Sequence, residues 1–194
     1  MKKIMLFLAA LVMISLMGCG GSNKETSKKV TLVSYEIQSI KEDMNITYGD
    51  TYGGQTYQAN VVVKEPANKE QLKDVCRAVV TEVQKTYKDK ADAIIVFIYD
   101  YPEYVGYGYT LGMAVQILDG SWQWEIGEKD WSKRLTTEEV EIWEVWHDLK
   151  KVKNAASPGA IVDEETVTDE VAEQYDVKKE RVKEILAKQL AWSF

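Results

Sequence analysis

One imidazole, two thiols and a surplus of carboxylates make up the reactive repertoire of this 194-residue chain. A zinc site built around the single histidine, His147, would need a thiol and carboxylates beside it, a poor match to the usual zinc ligand sets. A serine triad would also require His147, which follows Trp146 on an expected helix, and no nucleophile-elbow sequence occurs anywhere. Cys76 lies on the apolar stripe of another expected helix and reads as a small buried hydrophobe rather than a reactive thiol. Gly106, Gly108 and Gly112 stand between aromatic residues and do not open a helix, so they form no phosphate-binding fingerprint. Neither a cofactor site nor a metal site is expected, and no residue is assigned a catalytic role.

Carboxylates remain. The runs Asp163-Glu164-Glu165 and Glu138-Glu139-Glu141 read first as helix starts and solvated faces, with paired-carboxylate hydrolysis as the alternative. Aromatic residues form the other concentration: Tyr99, Tyr101, Tyr104, Tyr107 and Tyr109 fall within one short stretch, followed by Trp122, Trp124 and Trp131. Such rings stack on sugars or anchor protein partners when exposed, and otherwise pack beneath a sheet edge. The expected binding surface is the loop around Tyr101, Tyr104 and Tyr107.

The balance of 24 basic against 31 acidic residues, a formal charge of −7, disfavours nucleic acid, which is gathered by basic fields. With 45% hydrophobic residues the chain can build a globular core.

The N-terminus is specific. Lys2 and Lys3 precede an apolar run from Ile4 to Met17, broken only by Ser15, which is too short to span a bilayer but suits an export signal. The run ends in Leu16-Met17-Gly18-Cys19, which resembles the lipobox of bacterial lipoproteins. That resemblance implies cleavage between Gly18 and Cys19, diacylglycerol on the Cys19 thiol, and anchoring by two or three acyl chains. Residues 1–18 are then the signal and 19–29 a lipidated cysteine with a polar tether. Loss of the signal leaves 22 basic against 31 acidic residues, a formal charge of −9. The expected location is the extracytoplasmic face of the cell membrane, or the outer membrane in a Gram-negative host.

Behind the tether, Val30 to Ile40 and Thr56 to Lys64 read as strands, joined by a long loop containing the turn-like residues 48–54. Pro66 and Asn68 introduce an amphipathic helix carrying Leu72, Val75, Cys76, Val79, Val80, Val83 and Tyr87. Ala93 to Tyr99 is a continuous apolar strand; Tyr109 to Leu118 is its partner, ending at the Asp119-Gly120 turn. The order β-β-α-β-β predicts an α+β fold over residues 30–135, an antiparallel or mixed four-stranded sheet with a helix on one face. The segment AIIVFIYDYPEYVGYGYTLGMAV with its preceding helix resembles a small domain of unknown function found in bacterial and phage lipoproteins. The resemblance runs from about Val30 to Trp124 and implies no activity.

Thr136 or Thr137 with Glu139 predicts a capped helix, here 136–153, burying Val140, Trp143, Trp146 and Leu149. After a break at 154–160, residues 161–194 read as a helical hairpin docked by Val171, Val182, Ile185 and Leu190. TDEVAEQYDVKKERVKEIL resembles a helix-turn-helix unit, with Asp176 where that pattern favours glycine. By that resemblance Lys178, Lys179 and Lys183 would face DNA, but residues 163–194 hold nine acidic and five basic side chains. The preferred reading is a non-enzymatic lipoprotein that binds an envelope protein or glycan. Two alternatives stay open, a phage-associated superinfection-exclusion lipoprotein and a carboxylate-dependent envelope hydrolase.

Overall fold

The computed structural model describes residues 32–43, 55–87, 91–156 and 162–193. The signal, Gly18, Cys19, the tether, the loop residues 48–54 and the Ser157-Pro158-Gly159 break lie outside them.

Five strands form one sheet in the order β1-β2-β3-β4-β5: Glu36–Asp43, Thr56–Val62, Ala93–Tyr99, Gly112–Ile117 and Trp122–Ile126. Only β2 and β3 run parallel, and the helix α1, Lys69–Thr86, makes the crossover that a parallel pair requires. The other neighbours are antiparallel, so the sheet is mixed. The sequence reading found four strands and missed β5. Its signal was present in the Asp119-Gly120 turn followed by the alternating WQWEI. Its density of tryptophan reads equally as a ligand platform until the pairing with β4 is known. At the start of β4, opposite the end of β5, Gly112 stands at φ +142°, and a Cβ on it would come within 2.7 Å of the Glu125 carbonyl oxygen, so no other residue fits this approach.

Strand alternation divides the hydrophobic residues between two faces. Tyr57, Ala59, Val61, Ile94, Val96 and Ile98 join the stripe of α1, whose Leu72, Val75, Cys76, Val79 and Val83 are buried as the spacing predicts. Asn68 caps α1 through a complete capping box with Gln71. On the opposite face, Val62 and Tyr99 pack with three further helices: α2, Thr137–Ala156, α3, Glu164–Gln174, and α4, Lys179–Trp192. Helices therefore flank both faces, where one face was expected.

The α3–α4 junction is a Schellman closure. Val177 N–H donates to Ala172 O at 3.0 Å and Asp176 N–H to Glu173 O at 3.3 Å. Asp176 occupies the left-handed position at φ +52°, the place where the motif favours glycine. Val171, Val182 and Ile185 are fully buried, but Leu190 is 76% exposed. Leu190 was expected to dock α4. Instead Trp192, one helical face away, inserts at 4% exposure into the cluster on the α1 side of the sheet.

Candidate binding surface

The segment after β3 carries the three tyrosines singled out in the sequence, and they meet three different fates. Tyr101 is half-buried: its hydroxyl donates to Leu135 O at 2.9 Å and the Arg134 guanidinium lies 3.9 Å from its ring centroid. Tyr104 is fully buried, edge-on to Trp143 with centroids 4.6 Å apart. Burial, then the nearby Asp100 charge, drives its hydroxyl pKa far above the usual tyrosine range. Only Tyr107 is exposed, at 41%. Tyr104 therefore belongs to the core and cannot offer a ring to a ligand, which corrects the expectation of a three-tyrosine surface.

Tyr107 is held in place on the protein surface. Gly106, at φ +100°, turns the chain just before it. Its ring stands edge-on to Trp143 at 5.1 Å and against His147 at 5.1 Å. The hydroxyl donates to Asp148 Oδ1 at 3.2 Å. Two χ angles restrained by a buried indole and a hydrogen bond leave little entropy to lose on binding. His147 is half-buried beside Trp143, centroids 4.3 Å apart. Burial first and Lys150 second hold its pKa below the ordinary value. It packs among aromatic rings on α2, half-buried.

The tryptophans of β5 offer less than the sequence suggested. Trp122 and Trp124 stack on each other at 4.5 Å and 7°, and Lys73 and Arg77 sit over the Trp124 ring at 5.7 and 5.3 Å. The Trp124 ring is thus occupied by its neighbours. Trp131 donates from Nε1 to Ala67 O at 3.0 Å and abuts Trp192.

Most of the carboxylates flagged in the sequence are committed to structure. Asp163 caps α3, Glu164 pairs with Lys150 at 2.5 Å, and Glu165 pairs with Lys179 and Lys183 at 2.8 and 2.7 Å. Hydrogen bonds from those two lysines hold the Glu165 pKa down to about 2. The same ion pairs engage two of the three lysines that a helix-turn-helix resemblance would aim at DNA. Glu139 is 5% exposed; it closes the capping box with Thr136 and receives Arg181 at 2.6 Å and Lys188 at 2.7 Å. Burial would raise its pKa, but the bonds from Lys188, Thr136 and Arg181 bring it below the ordinary value. Cys76 is buried, and desolvation pushes its thiol up to about 12, so it is no nucleophile.

Sequence reasoning missed the most elaborate polar centre. Asp100, fully buried at the end of β3, accepts from the Thr110 hydroxyl at 2.6 Å, Arg134 Nε at 2.9 Å and Trp192 Nε1 at 3.1 Å. Arg134 also donates to the carbonyls of Asp100 and Lys64. Lys129 Nζ donates to Trp192 O and so closes the end of α4. Beside this junction a cleft of about 610 Å³ is lined by Lys129, Lys133, Lys188 and Trp192 among others. Such a network ties α4 to the sheet. Among the described residues no cluster of three His, Cys, Asp or Glu side chains could hold a metal ion.

No curated protein matches the sequence. Among solved structures the chain is similar to a DUF487 family protein from Desulfovibrio piger, with TM-score 0.49 and 16% identity over 76% of this chain and 88% of the other. A domain of unknown function, DUF4875, matches residues 31–184, running past the Trp124 limit of the sequence resemblance through α2, α3 and part of α4. The chain belongs to the DUF4875 family.

Proposed function

We propose that this protein is an extracytoplasmic lipoprotein, tethered through diacylglycerol on Cys19, whose folded part is a non-enzymatic binding module for an envelope component. The binding surface is the loop between β3 and β4 where it lies on α2, with Tyr107 at its centre. One observation carries this reading: Tyr107 is 41% exposed yet restrained by Trp143 and Asp148, which is the arrangement of an interface anchor. The anchor itself is supported by the Lys2-Lys3 start, the apolar run and Leu16-Met17-Gly18-Cys19. A hydrolase is less well supported, since Asp163, Glu164, Glu165 and Glu139 are engaged in caps and ion pairs.

The test uses the full chain in nonionic detergent, passed over solubilised envelope proteins and, separately, over cell-wall glycan. Retention that Tyr107→Ala abolishes while its melting curve is unchanged supports the module. Equal retention of both forms, or of neither, refutes the surface. For the anchor, Cys19→Ser should leave an unprocessed, slower-migrating precursor; normal processing and membrane fractionation would refute it.

A further inference from the structure

The acids around Tyr107 form a group along one side of α2. Glu141, Glu144 and Asp148 recur at three- and four-residue steps along one side of α2, and Glu103 comes beside them from the turn Pro102–Tyr104. Among the described residues none of the four belongs to an ion pair, whereas Glu139, Glu164, Glu165, Asp169 and Glu170 do. Lys150 and Lys153, which could have neutralised the group, are drawn away to Glu164 and Glu170 on α3. Lys151, three residues beyond Asp148, is the one basic residue that helical spacing leaves near this side. Burial first, then the charges of Glu103, Asp148 and Glu141, raise the pKa of Glu144, the only described carboxylate shifted upward.

A second observation is independent of charge. Trp143, 1% exposed and in ring contact with both Tyr107 and His147, has an indole N–H without a hydrogen-bond partner, and Glu103 Oε2 is likewise buried and unpartnered. Glu103 Oε2 is thus an unused acceptor beside the acids of α2, which an ammonium or guanidinium can fill, whereas the indole N–H needs an acceptor such as a backbone carbonyl of the same segment.

We infer that the Tyr107 surface docks a lysine- or arginine-rich segment of a protein partner, its cations held between Glu103, Glu141, Glu144 and Asp148 and over the Tyr107 ring. This rests on the binding reading above and names its chemistry. An aromatic face flanked by carboxylates is the arrangement that attracts ammonium and guanidinium groups. From Glu141 to Asp148 the row extends about 10 Å at roughly 1.5 Å per residue, which suits several basic side chains of one segment rather than a single amine.

The experiment titrates fluorescent octalysine into the full chain in nonionic detergent and reads anisotropy. Replacing Glu141, Glu144 and Asp148 together by Gln, Gln and Asn should weaken binding about tenfold or more, and Tyr107→Ala by several-fold. An equal charge change at the exposed Glu65, Glu173 and Glu180 should alter it less than about twofold. Binding should also weaken as salt rises from about 50 to about 300 mM. No binding of millimolar octalysine, or equal weakening in both triple variants, overturns the inference. If that happens while Tyr107→Ala still loses envelope retention, the surface stands and only its basic partner falls. If both assays fail, the binding reading falls with it.

Discussion

Glu139 and Glu144 lie five residues apart on α2, and the protein treats them in opposite ways. Glu139 is buried, closes the helix cap and is matched by Arg181 and Lys188, and its pKa lies below the ordinary value. Glu144 is half-buried, faces other acids and has its pKa raised. Asp100 repeats the first pattern on a larger scale, with every approach to its carboxylate filled by a donor. The contrast shows that a surplus of acid says little about a chain of this kind until each carboxylate is asked whether it is matched. Matched acids hold the fold together; unmatched ones gathered round an exposed ring form the docking surface proposed above.

Breaking the matched set should have the largest effect. Asp100→Ala strands the half-buried Arg134 guanidinium and the Trp192 indole, and should cost about 3 to 5 kcal/mol, read as a large loss of melting temperature. Loss of far-UV helical signal before the sheet melts would locate the damage at α4. Glu139→Ala removes the reciprocal cap and two partly exposed ion pairs, and about 2 kcal/mol of destabilisation in urea unfolding is expected. An unchanged midpoint in either variant would erase the distinction between the two classes of acid.

Smaller changes sharpen it. Asp176→Gly relieves a left-handed position within an intact Schellman closure and should raise stability by about 0.5 to 1 kcal/mol. It should change octalysine binding less than the triple variant does, because Asp176 is not one of the four acids grouped around Tyr107. For Glu144 the pH dependence has a definite sign. A folded-state pKa above the unfolded one means that the folded form holds its proton more tightly. The cost is absent below the unfolded glutamate value, appears as pH rises toward the raised value, and persists above it. Glu144→Gln should therefore remove part of the fall in stability on leaving the acid range, and a parallel pair of melting profiles against pH would contradict the assignment.

The same contrast explains what was legible without coordinates. Elements built from local rules were read well. The AIIVFIY strand has its expected bounds, α1 starts at Asn68 with its stripe inward, and the Thr136 to Glu139 box opens α2. The strand WQWEI was hidden by its own composition: a short edge strand rich in tryptophan looks like a ligand platform until pairing with β4 is known. Tyr101, Tyr104 and Tyr107 could not be separated at all, because they are the same residue type at equal spacing. What separates them is the line along which α2 crosses the loop, covering Tyr104 with Trp143 and leaving Tyr107 at its edge.

By itself, then, the sequence determined most of the periodic elements, the caps at Asn68 and Thr136, the left-handed place for Asp176 and an acidic composition. Each of these depends on residues within a turn or two of one another, or on composition alone. Tertiary structure decided which acids are matched and which rings are covered. Asp100 finds Arg134 from 34 residues away and Trp192 from 92, and α2 meets Lys188 across 49. No local spacing encodes such meetings; they follow from burying the two faces of one sheet under helices from distant parts of the chain.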